Sequence, residues 1–225
     1  MERHFEIELK KLESRILEMG NLVQQQMQQT MLAFINSDVE LANQVIENDN
    51  QVDILDVKID KLCQRVFALQ QPVASDLRFI MSALKINNDL ERMGDLAVYV
   101  AKRVDSFSGY EEVLIDLHID EVANMSVMLV KEVNSLLSSK QIVLVRDILD
   151  ASQALKTKVK GISSKIVEEL MHKSHDVIVV ATTLILILNQ VERICALSNN
   201  IAESVYFIIE GKIVKHSRDF LEDQS

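Results

Sequence analysis

The sequence predicts an all-α protein built as two tandem, similar three-helix bundles, with six long antiparallel helices in total. Three observations lead to this fold class. Apolar residues recur at steps of three and four along most of the chain, which is the period of an α-helix. Glycine occurs five times and proline once in 225 residues, so few residues would interrupt long helices. A set of three long helical segments occurs twice, which indicates duplication.

The first bundle is predicted from three helical segments that are separated by short turns. Ser37 and Asp38 offer a turn and an N-cap between the first two segments. Pro72 is expected to end the second helix, because proline cannot continue the backbone hydrogen bonding. The three predicted helices are residues 5–35, 39–70 and 75–105.

The clearest break in the helical pattern is the Ser-Phe-Ser-Gly run at residues 106–109. We place the domain boundary there, with a first domain of residues 1–108 and a second of residues 109–225. The most apolar run, residues 177–188, is too short to cross a bilayer and reads as a fully buried core helix. The three predicted helices of the second half are residues 120–138, 141–172 and 174–215.

A repeated Glu-Arg pair supports the duplication. Glu91-Arg92 in the third predicted helix recurs as Glu192-Arg193 in the sixth, 101 residues later. The same offset pairs Asp49 with Asp150, Asn88 with Asn189, Met93 with Ile194 and Ala101 with Ala202. Several matches at one offset indicate that the two halves are related structural repeats.

Charge and cysteine content narrow the classes of function. The chain has 24 basic and 34 acidic residues, for a net charge of −10, so nucleic acid is not the expected partner. Cys63 and Cys195 lie in no metal-binding or disulfide pattern and are expected to be buried, reduced thiols. No signal segment is evident at the N-terminus, and we expect a cytoplasmic protein.

The third predicted helix carries oxygen ligands on one face. Glu91 and Asp95 are four residues apart, and Asn88 joins them three residues earlier. A hard cation would offset the repulsion between the carboxylates, as would a neighbouring Arg or Lys. The alternative is a solvated acidic face, the commonest position for helix carboxylates. Gly94, between the two carboxylates, costs helix stability and favours close helix contact or room for a ligand.

The second predicted helix carries a matching acidic stripe at helical spacing, formed by Asp49, Asp53, Asp56 and Asp60. If the two helices are antiparallel neighbours, one end of this stripe approaches Glu91 and Asp95. The alternative is the solvent face of an amphipathic helix. That alternative is favoured for Asp56 and Asp60 over Asp49, because Asp49 recurs as Asp150.

Residues 90–97, Leu-Glu-Arg-Met-Gly-Asp-Leu-Ala, resemble the signature of the PhoU family. That signature is a Leu-Glu-Arg-Ile-Gly-Asp run with a later Asn, present once in each of two three-helix bundles. The first copy departs from the signature at Tyr99, where Asn is usual. The second copy keeps Glu192, Arg193 and Asn200. It has Cys195 in place of Gly and Ala196 in place of the second carboxylate.

The resemblance implies a regulatory function without a reaction. A PhoU-like protein would report phosphate status between a phosphate ABC transporter ATPase and a sensor histidine kinase, and would repress phosphate uptake when phosphate is plentiful. It would act as a homodimer. Some members bind iron or zinc clusters through Glu-xxx-Asp pairs, which implies iron, zinc or another divalent cation here, weaker or absent in the second half. The candidate metal ligands are Glu91, Asp95, Asp49, Asn88, Glu192 and Asp150.

Two other hypotheses compete with the regulatory one. A metal-dependent enzyme or metal store would use the acidic stripes, but the pattern has no histidine ligands and no general base in a recognisable setting. A purely structural helical dimer would use exposed Met and Leu residues of the first or fourth helix as its interface.

Overall fold

The computed structural model describes residues 2–70, 74–169 and 173–212. Within these ranges the chain forms eight α-helices and one 3₁₀ helix, and it has no β-strand, so the predicted all-α fold class is confirmed. The 3₁₀ helix is Val104–Phe107. The α-helices are α1 (Glu2–Asn36), α2 (Val39–Asn48), α3 (Asn50–Gln70), α4 (Ala74–Ala101), α5 (Glu111–Asp116), α6 (Ile119–Ser139), α7 (Val143–Glu169) and α8 (His175–Glu210).

In the first half, α1, α3 and α4 pack against one another. Helices α1 and α3 are antiparallel, because Glu8 pairs with Arg65 near one end and Gln26 bonds to Asp49 near the other. Helix α4 runs antiparallel to α3, and the amide of its Asn87 lies against the middle of α3. The three buried stripes form the apolar core of this half.

The second half repeats this arrangement with α6, α7 and α8. Lys158 of α7 pairs with Glu121 of α6, and the hydroxyl of Ser152 donates to the carbonyl of Cys195 on α8. Helices α1 and α6 and helices α4 and α8 pack across the middle of the molecule, so one apolar core runs through both halves. Residues 102–118 connect the halves and include α5, which the sequence pattern did not predict. The boundary at 108/109 stays a prediction.

The second predicted helix differs from expectation because it is divided at Asp49. The predicted cap is confirmed: the side chain of Asp38 accepts a hydrogen bond from the backbone of Leu41 at 3.0 Å. Helix α2 ends at Asn48 and α3 begins at Asn50, and the carbonyl of Asp49 accepts from the amide of Val52 at 2.9 Å. The expected stop at Pro72 lies outside the described residues.

The duplication is visible in the buried positions, but each helix has its own offset between the halves. In the third helix of each half the buried side chains repeat at 101 residues, as the Glu-Arg pair predicted. In the first helix the offset is 103, and Ser37 and Lys140 at its end share a left-handed backbone with φ of 53°. The pairs in the first helix are Ile16 with Ile119, Met19 with Val122, Val23 with Ser126, Met27 with Val130 and Phe34 with Leu137.

In the second helix of each half the offset is 100, one less than predicted. The buried pairs there are Val45 with Val145, Val52 with Ser152, Leu55 with Leu155, Ile59 with Val159, Leu62 with Ile162 and Val66 with Ile166. The expected pairing of Asp49 with Asp150 is therefore wrong by one residue. The counterpart of Asp49 is Leu149, because the turns between helices differ in length between the halves.

The apolar run at residues 177–188 belongs to α8, which packs against α4, α6 and α7. The prediction of full burial is wrong, because one side of the helix faces outward and leaves Val179 and Leu186 51% and 41% exposed. This helix is long and apolar enough to cross a membrane by length and composition, with a mean hydropathy of 1.8 over 18 residues. Of that window 44% is buried inside the molecule. The core helix of a soluble protein meets the same two criteria, so they do not distinguish between the two settings.

Candidate functional site

The signature run lies on α4 and faces the acidic stripe of α3. The side-chain nitrogen of Asn87, which is fully buried, donates to Asp56 Oδ1 at 2.6 Å and to Asp60 Oδ1 at 3.2 Å. Asp56 and Asp60 are half-buried rather than part of a solvent face, so that alternative does not hold for them. The predicted amide at Asn88 is exposed, and its neighbour Asn87 makes the contact instead.

Asp49 sits at the junction of α2 and α3, where it approaches α4. Gln26 Nε2 on α1 donates to Asp49 Oδ1 at 2.7 Å. Burial raises the pKa of the Asp49 carboxyl above its ordinary value. The Gln26 hydrogen bond opposes that rise, while the charges of Asp53 and Asp95 add to it. The structure thus brings Asp49 within electrostatic reach of Asp95, as the antiparallel arrangement predicted.

Gly94 marks a close approach of three helices. A Cβ at this position would lie 3.0 Å from Gln26 Oε1 and 3.4 Å from Val52 Cγ1. A larger side chain would push against the Gln26 amide that holds Asp49. The expectation of close contact at Gly94 is met, and the contact is with α1 as well as α3.

Glu91 lies at the centre of the acidic surface between α3 and α4. Burial raises the pKa of its carboxyl to about 7, and the negative charges of Asp95, Asp56 and Asp53 add to the rise. Arg92 opposes the rise but does not cancel it. Near neutral pH this carboxyl therefore titrates, and a bound cation would favour its charged form.

Two buried amide oxygens in this region have no hydrogen-bond partner. They are Gln26 Oε1 and Asn87 Oδ1, on side chains that are 6% and 0% exposed. Unpaired buried acceptors are costly, and they are the oxygen type that hard cations bind. Sequence reasoning missed Gln26, although its position on the buried stripe of α1 follows from Val23 and Met27.

The predicted metal ligands are not gathered into a ready coordination shell. In the described ranges, no three His, Cys, Asp or Glu side chains are arranged to hold a metal ion. Glu91 is half-buried and Asp95 is exposed, so both side chains have room to move. The first half has oxygen ligands within one region. To bind a metal ion, the side chains of these ligands would have to move closer together.

The second half offers a different set of groups. Glu192 is half-buried, while Asp150 is exposed and lies 3.9 Å from Arg146 one turn earlier. Burial raises the pKa of the Cys195 thiol to about 11, which fits the expected inert, reduced thiol. Cys63 is also buried, and burial raises its pKa to about 12. Asp150 is exposed and its partner Arg146 lies on the same helix, so Asp150 is not directed toward Glu192.

A cleft of roughly 530 Å³ opens between α4 and α8, where the two halves meet. Among the residues described, its arginines Arg92 and Arg193 make no ion pair within 4 Å. Arg193 instead donates to Gln190 Oε1 at 3.1 Å. The cleft is lined by Asp49, Arg92, Asp95, Leu96, Val98, Tyr99, Lys102, Gln190, Arg193, Ala196 and Leu197.

These features define a class: a duplicated helical-bundle protein with a carboxylate surface next to the contact between its halves. The PhoU domain family model matches residues 16–104. The phosphate-specific transport system accessory protein PhoU of Serratia marcescens is 30% identical over 213 residues, which cover 94% of this chain and 87% of the relative. The homolog from Pseudomonas putida is 33% identical and covers 95% and 84%. The chain belongs to the PhoU family.

Solved structures agree with this assignment. The crystal structure of PhoU from Pseudomonas aeruginosa superimposes with a TM-score of 0.85 at 29% identity, over 92% of this chain and all of that one. The phosphate transport system regulatory protein PhoU from Streptococcus pneumoniae gives 0.83 at 26% identity, over 94% and 99%. The resemblance predicted from residues 90–97 is confirmed. The family is one of accessory and regulatory proteins.

Proposed function

We propose that this protein regulates phosphate uptake and phosphate-starvation signalling as a cytoplasmic adaptor. It would link a phosphate ABC transporter ATPase to a sensor histidine kinase and hold uptake genes repressed when phosphate is plentiful. The observation that carries the proposal is the identity of 30% across 94% of the chain to a protein named as an accessory of phosphate-specific transport. The Leu-Glu-Arg-Met-Gly-Asp run at residues 90–95 supports it.

The adaptor function needs accessible apolar surface, and α3 offers it. Ile54 and Val57 lie one helical turn apart and are 52% and 48% exposed. Exposed apolar side chains in neighbouring positions are a common feature of protein contacts. We propose that this part of α3 contributes to binding of the ATPase, the kinase or a second copy of the chain in a homodimer.

The test combines binding and gene repression. Tagged protein should retain the transporter ATPase and the histidine kinase from a lysate of its own organism. A deletion strain should express phosphate-uptake genes constitutively in high phosphate. The variant I54D/V57D should lose one of the partners, whereas V143D, at an exposed valine of α7, is the control. Retention of neither partner, together with normal repression in the deletion strain, would refute the proposal.

We propose, second, that the first half binds a divalent cation. Support comes from the shared region of Glu91, Asp95 and Asp49, from the raised pKa of Glu91, and from the unpaired oxygens of Gln26 and Asn87. Oxygen ligands of this kind suit magnesium or manganese, and iron or zinc also bind carboxylates. The cation would neutralise the facing carboxylates and fix α3 against α4. No reaction is proposed for it.

Metal analysis of purified protein tests this second proposal. Wild-type protein should contain or take up iron, zinc, manganese or magnesium, and its melting temperature should rise when the metal is added. E91Q/D95N should lose most of that rise, and E192Q should keep it. Equal responses from wild type and E91Q/D95N would place the effect elsewhere.

A further inference from the structure

The second helix of each half carries opposite charges at two matching positions. The shared register of the buried side chains, with Val66 matching Ile166, fixes which surface residues correspond. Asp56 and Asp60 of α3 are replaced by Lys156 and Lys160 of α7. A divalent cation would therefore meet two ammonium groups in the second half, at the positions where the first half has two carboxylates.

The charge of Lys156 reaches the α8 residues that correspond to the signature. Both Lys156 and Glu192 are close enough to Cys195 to act on its thiol, with opposite effects on the pKa. Cys195 occupies the position of Gly94, so Lys156 and Glu192 lie around the same point of the repeat. In the first half, the groups acting on Glu91 are three aspartates and a single arginine.

The oxygen ligands are also missing from the second half. Ala196 stands in place of Asp95, Leu129 in place of Gln26, and Leu188 in place of Asn87. Cations such as magnesium and manganese need several oxygen ligands. Of the predicted ligands the second half retains Glu192 and the exposed Asn189, and these two residues do not fit a bound metal ion.

We propose that the chain binds a divalent cation in its first half only, and that Lys156 and Lys160 act as built-in cations in the second half. The second half would then be held permanently in the charge-neutralised arrangement that the first half reaches when a cation binds. The inference rests on the proposed cation binding in the first half. As a consequence, a change in cation concentration alters the arrangement of the first half only. The second half, which packs against it through α4 and α8, stays unchanged.

Hydrogen–deuterium exchange of the full chain with and without Mn²⁺ tests this inference. Mn²⁺ should slow exchange in residues 49–60 and 88–98. It should leave residues 149–160 and 189–199 unchanged. Protection in both halves would overturn the inference while leaving cation binding in place. Protection in neither half would overturn both, so the two failures are distinguishable.

Copying the lysines into the first half provides the second arm. D56K/D60K should weaken Mn²⁺ binding at least tenfold, because two ammonium groups replace two carboxylates beside Glu91. D105K/E112K, at two exposed acidic positions in the connection between the halves, makes the same change in net charge and is the control. If D56K/D60K does not fold, D95A takes its place, because it introduces the alanine that the second half has at residue 196. D95A should by itself lower Mn²⁺ affinity. Unchanged affinity in both D56K/D60K and D95A would contradict the inference.

Discussion

The two halves of the molecule share one helical scaffold but differ in what they bury. The first half has polar side chains at three interior positions where the second half has apolar ones. The pairs are Gln26 with Leu129, Thr30 with Val133, and Asn87 with Leu188. The reverse exchange also occurs: Ser126, Ser152 and Ser198 stand where the first half has Val23, Val52 and Ala97. Those three hydroxyls donate to backbone carbonyls, whereas Gln26 and Asn87 each leave a buried oxygen without a partner. Buried polar groups cost stability unless they are bonded, so the first half gives up stability at these two residues and keeps their oxygens free for a ligand.

The largest expected effect comes from transferring one polar residue between the halves. Leu129→Gln should lower the free energy of unfolding by about 2–4 kcal/mol, because the buried amide would face Leu149 where Gln26 faces Asp49. Gln26→Leu should change it by less than about 1 kcal/mol, since the unpaired Oε1 disappears together with the Asp49 hydrogen bond. Urea unfolding of both variants measures the difference. Equal losses would mean that the halves tolerate polar groups alike.

The next effect tests the position shared by Gly94 and Cys195. Cys195→Gly should cost about 2 kcal/mol, because a fully buried side chain is lost and glycine weakens a helix interior. Gly94→Ala gains helix propensity but places a Cβ 3.0 Å from Gln26 Oε1, and its net cost should be below about 1 kcal/mol.

The double variant Gln26→Ala/Gly94→Ala tests whether the contact with Gln26 causes this cost. In a Gln26→Ala background the contact is gone, and Gly94→Ala should become stabilising. Thermal unfolding of the four proteins in this cycle gives the coupling between the two positions. A Gly94→Ala effect that does not change with residue 26 would rule out the Gln26 contact as its cause.

The fold was largely predictable from periodicity, whereas the break at Asp49 was not. Long apolar stripes located six helices, and Asp38 was correctly predicted as a cap. Asp49 is neither glycine nor proline, and its backbone is α-helical, so nothing in the local sequence marks the division of α2 from α3. The end of α4 at Ala101 was not predicted either, because residues 104–107 form a 3₁₀ helix that extends the helical pattern beyond it.

The site was predictable only in part, because a single offset was applied to helices that repeat at three different offsets. The offset of 101 holds for α4 and α8, and it misplaced Asp150 on α7. Gln26 lies within a run of glutamines at residues 24–26, and residue type alone does not mark any one of them as part of the site. Lys156 and Lys160 correspond to Asp56 and Asp60 only in the register that the buried side chains of α7 define.

Glu91 predicts a pH dependence that belongs to the first half. Its carboxyl has a pKa of about 7 in the folded protein against an ordinary value of 4.5, so the folded state holds the proton more strongly between these values. Stability from this group is full at low pH and falls as pH rises from about 4.5 to about 7.

Glu91→Gln should remove this dependence. At pH 8 the variant should be more stable than the metal-free wild type by about 1 kcal/mol, once solvent screening of a half-exposed carboxyl is allowed for. At pH 4 the two proteins should be equally stable, because the wild-type carboxyl is then protonated. Urea unfolding at several pH values measures this, with E192Q as the control in the second half. Parallel curves for wild type and E91Q would contradict the assigned pKa.

The smallest effect concerns the ion pairs that join the first two helices of each bundle. Glu8, paired with Arg65, has a side chain that is only 13% exposed, whereas Glu121, paired with Lys158, is 51% exposed. Glu8→Gln should cost up to about 1 kcal/mol, and Glu121→Gln should leave the melting temperature unchanged, because water screens the exposed pair. Thermal unfolding in low and high salt measures both. A larger loss from Glu121→Gln would mean that the second half depends on surface charge rather than on its apolar core.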